Sequence, residues 1–121
     1  MSSKKILLID DDSRNIFALK AVLKSRSYHC ISCLSAIEAL EILKSQKDID
    51  VILLDMMMPE MDGYDAIPLI KKIPHYKKTP LIAVTAQAMN GDREKCLNAG
   101  ADGYVSKPID VDELMHLLNS L

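Results

Sequence analysis

Five short apolar runs, each followed by a stretch whose apolar residues recur at helical spacing, divide the 121-residue chain. The runs cover residues 5–10, 28–33, 51–55, 81–85 and 102–106. The helical stretches cover 13–27, 35–45, 63–73 and 91–98, and a last one, capped by Asp110, runs to the C-terminus. Regular alternation of strand and helix in so short a chain predicts an α/β fold, a five-stranded doubly wound parallel sheet. The run Val51 to Asp55 is apolar on both faces, which puts it in the interior of that sheet. Residues 1–121 read as a single domain with its own core. Ligands of such sheets bind outside the carboxyl ends of the strands.

In the first helix, Ala18, Leu19, Val22 and Leu23 form a core-facing stripe. Ile16 and Phe17 fall outside it. Either the stripe is wide and buries both, or they form an exposed apolar pair near the end of the first strand, with Lys20 at its rim. The second reading marks a protein interface. In the second helix the apolar positions are Ile37, Leu40 and Leu43 or its neighbours. Pro68 lies within the third helical stretch, so that helix starts late or kinks. The basic run 71–78 reads as a solvated loop rather than a phosphate-binding patch.

Charge narrows the function. A formal net charge of -2 gives no electrostatic reason for nucleic-acid or membrane binding. No apolar run approaches the length of a bilayer span, and the N-terminus lacks the apolar core of a signal peptide, so a cytoplasmic protein is expected. Three cysteines do not make a disulfide framework. Cys30 and Cys33 form a C-x-x-C, but in a strand residues three apart face opposite ways and cannot hold one metal ion.

Polar residues follow several of the strands at once: Asp10-Asp11-Asp12, Asp55, Thr85 and Ser106-Lys107. In a parallel sheet these ends share one edge. Asp12 and Ser13 cap the first helix, while the remaining carboxylates converge and repel one another. A hard divalent cation relieves that conflict, and oxygen donors of this kind suit magnesium, with manganese as an alternative. Lys107 adds a positive charge and Thr85 a hydroxyl donor. Together they meet the needs of phosphoryl transfer, which is mostly positioning and charge neutralisation.

The segments Ile9-Asp10-Asp11-Asp12, Leu54-Asp55-Met56-Met57-Met58-Pro59-Glu60-Met61-Asp62-Gly63, Val84-Thr85-Ala86 and Ser106-Lys107-Pro108 resemble the four signatures of the response-regulator receiver family of two-component phosphorelays. The resemblance covers the whole chain in order. It implies a flavodoxin-like (βα)5 fold with Asp55 as phosphoacceptor. It further implies magnesium ligation by Asp11, Asp55 and the backbone carbonyl of Met57, with Asp10 acting through water, and phosphoryl contacts from Thr85 and Lys107. Tyr104 falls at the family's switch aromatic and Lys107-Pro108 at its frequent cis peptide. Asp55-Met56-Met57-Met58-Pro59 and Gly91-Asp92-Arg93-Glu94-Lys95-Cys96 are similar to receivers attached to hybrid sensor histidine kinases. The implied partner is a sensor histidine kinase or histidine phosphotransfer domain, docking over Ile16, Phe17 and Lys20. The implied chemistry is limited to the domain's own phosphorylation and dephosphorylation.

One rival is a haloacid-dehalogenase-like phosphotransferase using Asp10, since Asp10-Asp11-Asp12 contains D-x-D after the first strand; its late acidic pair is missing here. A binding module that no longer takes up phosphoryl is a second rival, although every expected site residue is present. A nucleotide-binding protein lacks G-x-G-x-x-G and a P-loop. The chain stops at the last helix, so no output domain is expected within it.

Overall fold

The computed structural model describes residues 4–86 and 91–121; residues 1–3 of the N-terminal segment read for targeting lie outside them. The elements are β1 (Lys5–Ile9), α1 (Ser13–Ser25), β2 (His29–Cys33), α2 (Ala36–Ser45), β3 (Val51–Asp55), α3 (Gly63–Lys71), a short 3-10 turn (Pro74–Tyr76), β4 (Leu81–Thr85), α4 (Asp92–Ala99), β5 (Gly103–Ser106) and α5 (Val111–Asn119). The five strands form one parallel sheet in the order β2-β1-β3-β4-β5, with β3 central.

Alternation along the strands builds two cores. Ile6, Leu8, Val51, Leu53, Ile82 and Val84 pack with Ile16, Leu19 and Leu23 of α1 and Leu114, Met115 and Leu118 of α5. Leu7, Ile9, Ile52, Leu54, Leu81 and Ala83 face the other way, onto Ala39 and Leu43 of α2, Ala66, Ile67 and Ile70 of α3, and Cys96 of α4. Both faces of the inner strands are buried, which is why they read as continuous apolar runs. Four helices begin at a side-chain cap: Asp12, Ser35, Asp62 and Asp110 each accept a backbone N–H from the first turn.

The core stripe of α1 is not the one read from its sequence. Ile16, Leu19 and Leu23 are buried, whereas Ala18 is exposed and Val22 half-buried. The spacing 16, 19, 23 is the i, i+3, i+7 pattern of a stripe running nearly along the helix axis. Ile16 is therefore a core residue, 8% exposed, and the expected apolar pair reduces to Phe17, 79% exposed. In α2 the buried residues are Ala36, Ala39 and Leu43, with Ile37 turned to solvent.

Pro68 neither delays nor ends α3. The helix starts at Gly63, and Lys72 N–H donates to Pro68 O at 3.1 Å, so the ladder resumes beyond the ring. Most of the basic run is solvated, as expected, but Lys71 is tied to Thr79 O and Asp102, and Tyr76 is buried with its hydroxyl on Gln46 O. Cys30 and Cys33 pack into opposite cores. Burial raises their thiols to about 11 and about 12, with Glu38 adding to the effect at Cys33. Among the described residues no helix is long and apolar enough to cross a membrane.

Candidate functional site

Parallel register brings the strand ends level. Ile9 pairs with Leu54 and with Cys33, Asp55 with Val84, and Thr85 with Ser106. Backbone bonds extend the register past the strands: Asp10 N to Cys33 O, Met56 N to Val84 O at 2.8 Å, and Lys107 N to Thr85 O at 2.7 Å. The strand order reverses between β1 and β3, and the crevice at such a point opens beyond their carboxyl ends. Asp10, Asp11 and Asp55 stand at those two ends.

One carboxylate oxygen from each of Asp10, Asp11 and Asp55 lies within 4.8 Å of the other two. Asp10 and Asp55 are buried and Asp11 is exposed. Lys107 Nζ lies 3.2 Å from Asp55 Oδ2 and 3.5 Å from Asp10 Oδ2. Burial raises the Asp55 carboxyl above its ordinary value and Asp10 adds to this, while the Met57 N–H and Lys107 oppose it. Burial pulls the Lys107 ammonium down, but Asp55 and Asp10 outweigh it, and the net shift is upward. Three carboxylates facing one ammonium leave the cluster short of positive charge. Its donors are all oxygens, so the residues present fit a hard divalent ion.

The loop after β3 is built around Asp55. Met57 N–H donates to Asp55 Oδ1 at 2.9 Å, which folds the chain back over the carboxylate. Gly63 N–H then returns to Met56 O, and a Cβ at Gly63 would stand 2.8 Å from Met56 Cα, so only glycine lets α3 start this close. Met57 itself is 47% exposed at the rim.

Thr85 is buried at the end of β4. Tyr104, on β5, is half-buried, and its hydroxyl donates to Asp92 Oδ2 at 3.2 Å; the Tyr64 hydroxyl reaches Asp92 Oδ1 at the same distance. Tyr64 also lies 3.7 Å from Cys96 Sγ and carries Lys95 Nζ 4.6 Å above its ring. The Lys107–Pro108 peptide is cis, as the sequence suggested.

The structure thus brings Asp10, Asp11, Asp55, Thr85 and Lys107 to one edge and removes Ile16 from the surface. Sequence reading missed three residues: Asp92, which accepts from the Tyr104 hydroxyl, Tyr64, which bonds the other oxygen of Asp92, and Asn15, whose Nδ2 donates to Asp10 Oδ2 at 2.5 Å. Only for Asn15 was there a signal, a neutral amide in the first turn of the helix that follows the acidic run.

A parallel five-stranded sheet with an acidic pocket at its switch point and a lysine facing it defines the class. Residues 6–119 match the family described as response regulator receiver domain, and the chain belongs to it, a receiver domain of two-component signalling. Signal transduction histidine-protein kinase BarA of Escherichia coli (strain K12) is 42% identical over 113 residues, 93% of this chain. Hybrid signal transduction histidine kinase G of Dictyostelium discoideum is 39% identical over 117 residues, 95% of this chain. The chain spans 12% of the length of BarA and 3% of that of kinase G. The crystal structure of the receiver domain of sensor histidine kinase PA1611 from Pseudomonas aeruginosa PAO1 superposes with a TM-score of 0.88 at 36% identity, covering 98% of this chain and 96% of that one. That structure holds a magnesium ion coordinated in its active-site cleft. The narrower likeness to receivers of hybrid kinases is borne out, and the dehalogenase-like reading of Asp10 is not favoured.

Proposed function

We propose that Asp55 accepts a phosphoryl group from a phosphohistidine in a magnesium-dependent transfer. The observation that carries this is the meeting of three carboxylates within 4.8 Å, with Lys107 placed between Asp10 and Asp55. Asp11, Asp55 and the Met57 carbonyl would hold the ion directly and Asp10 would hold it through water; manganese would serve in place of magnesium. The bound ion supplies charge neutralisation for the phosphoryl oxygens. A carboxylate oxygen of Asp55 forms the new P–O bond while the P–N bond to the donor histidine breaks. The electron pair leaves with the imidazole, which takes up a proton. Lys107 moves from the carboxylates to a phosphoryl oxygen, and the Thr85 hydroxyl donates to another.

Asp10 is a poor rival nucleophile. It is buried, and its oxygens already accept from Asp12 N and Asn15 Nδ2. The chemistry is confined to the domain's own phosphorylation and dephosphorylation.

The partner is a sensor histidine kinase or a histidine phosphotransfer domain, in the cytoplasm, where Cys30, Cys33 and Cys96 stay reduced. It docks over α1, where Phe17 is exposed and a groove of about 520 Å³ runs between Ala18 and Val22 on one side and Pro108 and Ile109 on the other. Lys20, expected at the rim, is instead turned toward β2, onto Ser32 Oγ, and does not line this groove.

A small phosphoryl donor with magnesium should add one phosphoryl group, read by intact mass, and Asp55→Asn should abolish it. Full labelling of the Asn variant would overturn the assignment.

A further inference from the structure

Asn15 belongs to none of the four family signatures, yet it reaches the acidic cluster. Asp10 has one oxygen on Asp12 N–H at 2.9 Å and the other on Asn15 Nδ2 at 2.5 Å. The carboxylate accepts both, so the amide nitrogen of Asn15 is the atom that faces it. Lys107 stands farther off, at 3.5 Å from Asp10 Oδ2, and is shared with Asp55. The outer torsion of an aspartate is soft. Here two donors hold it, one from the β1–α1 turn and one from the first turn of α1.

We propose that Asn15 is a positioning residue, which fixes the Asp10 carboxylate for a divalent ion and keeps it fixed when Lys107 leaves for the phosphoryl group. Residue type supports this. A lysine or arginine at position 15 would neutralise Asp10 and compete with the ion, and an aspartate could not donate. A neutral amide orients the carboxylate and leaves its charge available. The backbone at position 15 is itself held, because Asp12 caps the helix at Arg14 N–H and Ile16, the next residue, is buried in the core. Burial of Ile16 thereby serves the site, although Ile16 does not touch it.

The inference rests on the reading of Asp10 as an ion-side carboxylate, and the experiment separates the two. Magnesium is titrated into the unphosphorylated domain, followed by amide chemical shifts, for the parent, Asn15→Leu, Asn15→Ala, Asn15→Gln and Asp10→Asn. Loss of this donor should weaken magnesium binding about tenfold in the Leu and Ala variants, with partial recovery in the Gln variant. Labelling by a small phosphoryl donor should show the same loss as a higher half-saturating magnesium concentration, with a plateau rate close to the parent. If Asp10→Asn weakens magnesium binding and Asn15→Leu and Asn15→Ala do not, the positioning role is wrong while the reading of Asp10 stands. If none of the three changes it, the reading of Asp10 falls too. A lowered melting temperature with unchanged magnesium affinity would mark Asn15 as structural only and overturn the proposal.

Discussion

Asp55 is more costly to keep ionised in the fold than in the unfolded chain, because burial raises its carboxyl above its ordinary value and the Met57 N–H and Lys107 compensate only in part. A carboxyl raised in the folded state contributes stability below its unfolded pKa, and that contribution is lost as pH rises through the folded value. At neutral pH without magnesium, Asp55 therefore weakens the fold. Asp55→Asn should raise the melting temperature at pH 7 by roughly 2–5 °C, the shift expected for somewhat under 1 kcal/mol in a domain of this size. The gain should shrink toward pH 4. Added magnesium should stabilise the parent more than the variant. A melting temperature that Asp55→Asn leaves unchanged or lowers at pH 7 would contradict this account.

At the scale of elements, α4 stands apart. Its sequence, Asp92 to Ala99, offers little apolar surface, and its only buried residues are Asp92 and Cys96. The other helices present stripes of leucine, isoleucine or alanine to the sheet. What holds the first turn of α4 is polar: Asp92 takes one hydroxyl from Tyr64 of α3 and one from Tyr104 of β5. A helix held this way opens at low cost. If Tyr104 turns inward on phosphorylation, one of these bonds breaks and α4 relaxes. Tyr64→Phe removes the other bond, worth about 1 kcal/mol, and should speed amide exchange in α4 about fivefold while α1 is unaffected. Phosphorylation should change exchange in α4 and β5 of the parent. Uniform protection in every variant would remove α4 from the switch.

For the molecule as a whole, if Asp55 is the acceptor, a protein donor has to enter over the edge that carries it. Phe17 is exposed on the helix that starts beside the acidic pocket, and Ile16 next to it is buried. The two positions should therefore separate in function. Phe17→Ala should slow transfer from a histidine-bearing donor about tenfold, or ~1.4 kcal/mol of lost contact, and leave labelling by a small-molecule donor unchanged. Ile16→Ala should cost about 2–4 kcal/mol of stability by opening a cavity, with no selectivity between donors. If Phe17→Ala slows both routes equally, or Ile16→Ala discriminates between them, the docking surface is misplaced.

Alternation of apolar runs with helical spacing determined the fold class from the sequence alone, because a parallel sheet buried on both faces has to be written as uninterrupted apolar strands. The site was legible for the same reason: residues that follow consecutive parallel strands fall on one edge, so Asp10, Asp11, Asp55, Thr85 and Lys107 could be grouped without coordinates. Facts that depend on the rotation of a helix about its axis were not legible. Whether Ile16 or Ala18 completes the stripe of α1 differs by a fraction of a turn, and only packing against β1 and α5 chose Ile16. The contacts of Asn15 with Asp10 and of Asp92 with two tyrosines were likewise decided by tertiary structure. A polar side chain's partner is set by which element lies opposite it, and the local sequence carries no record of that.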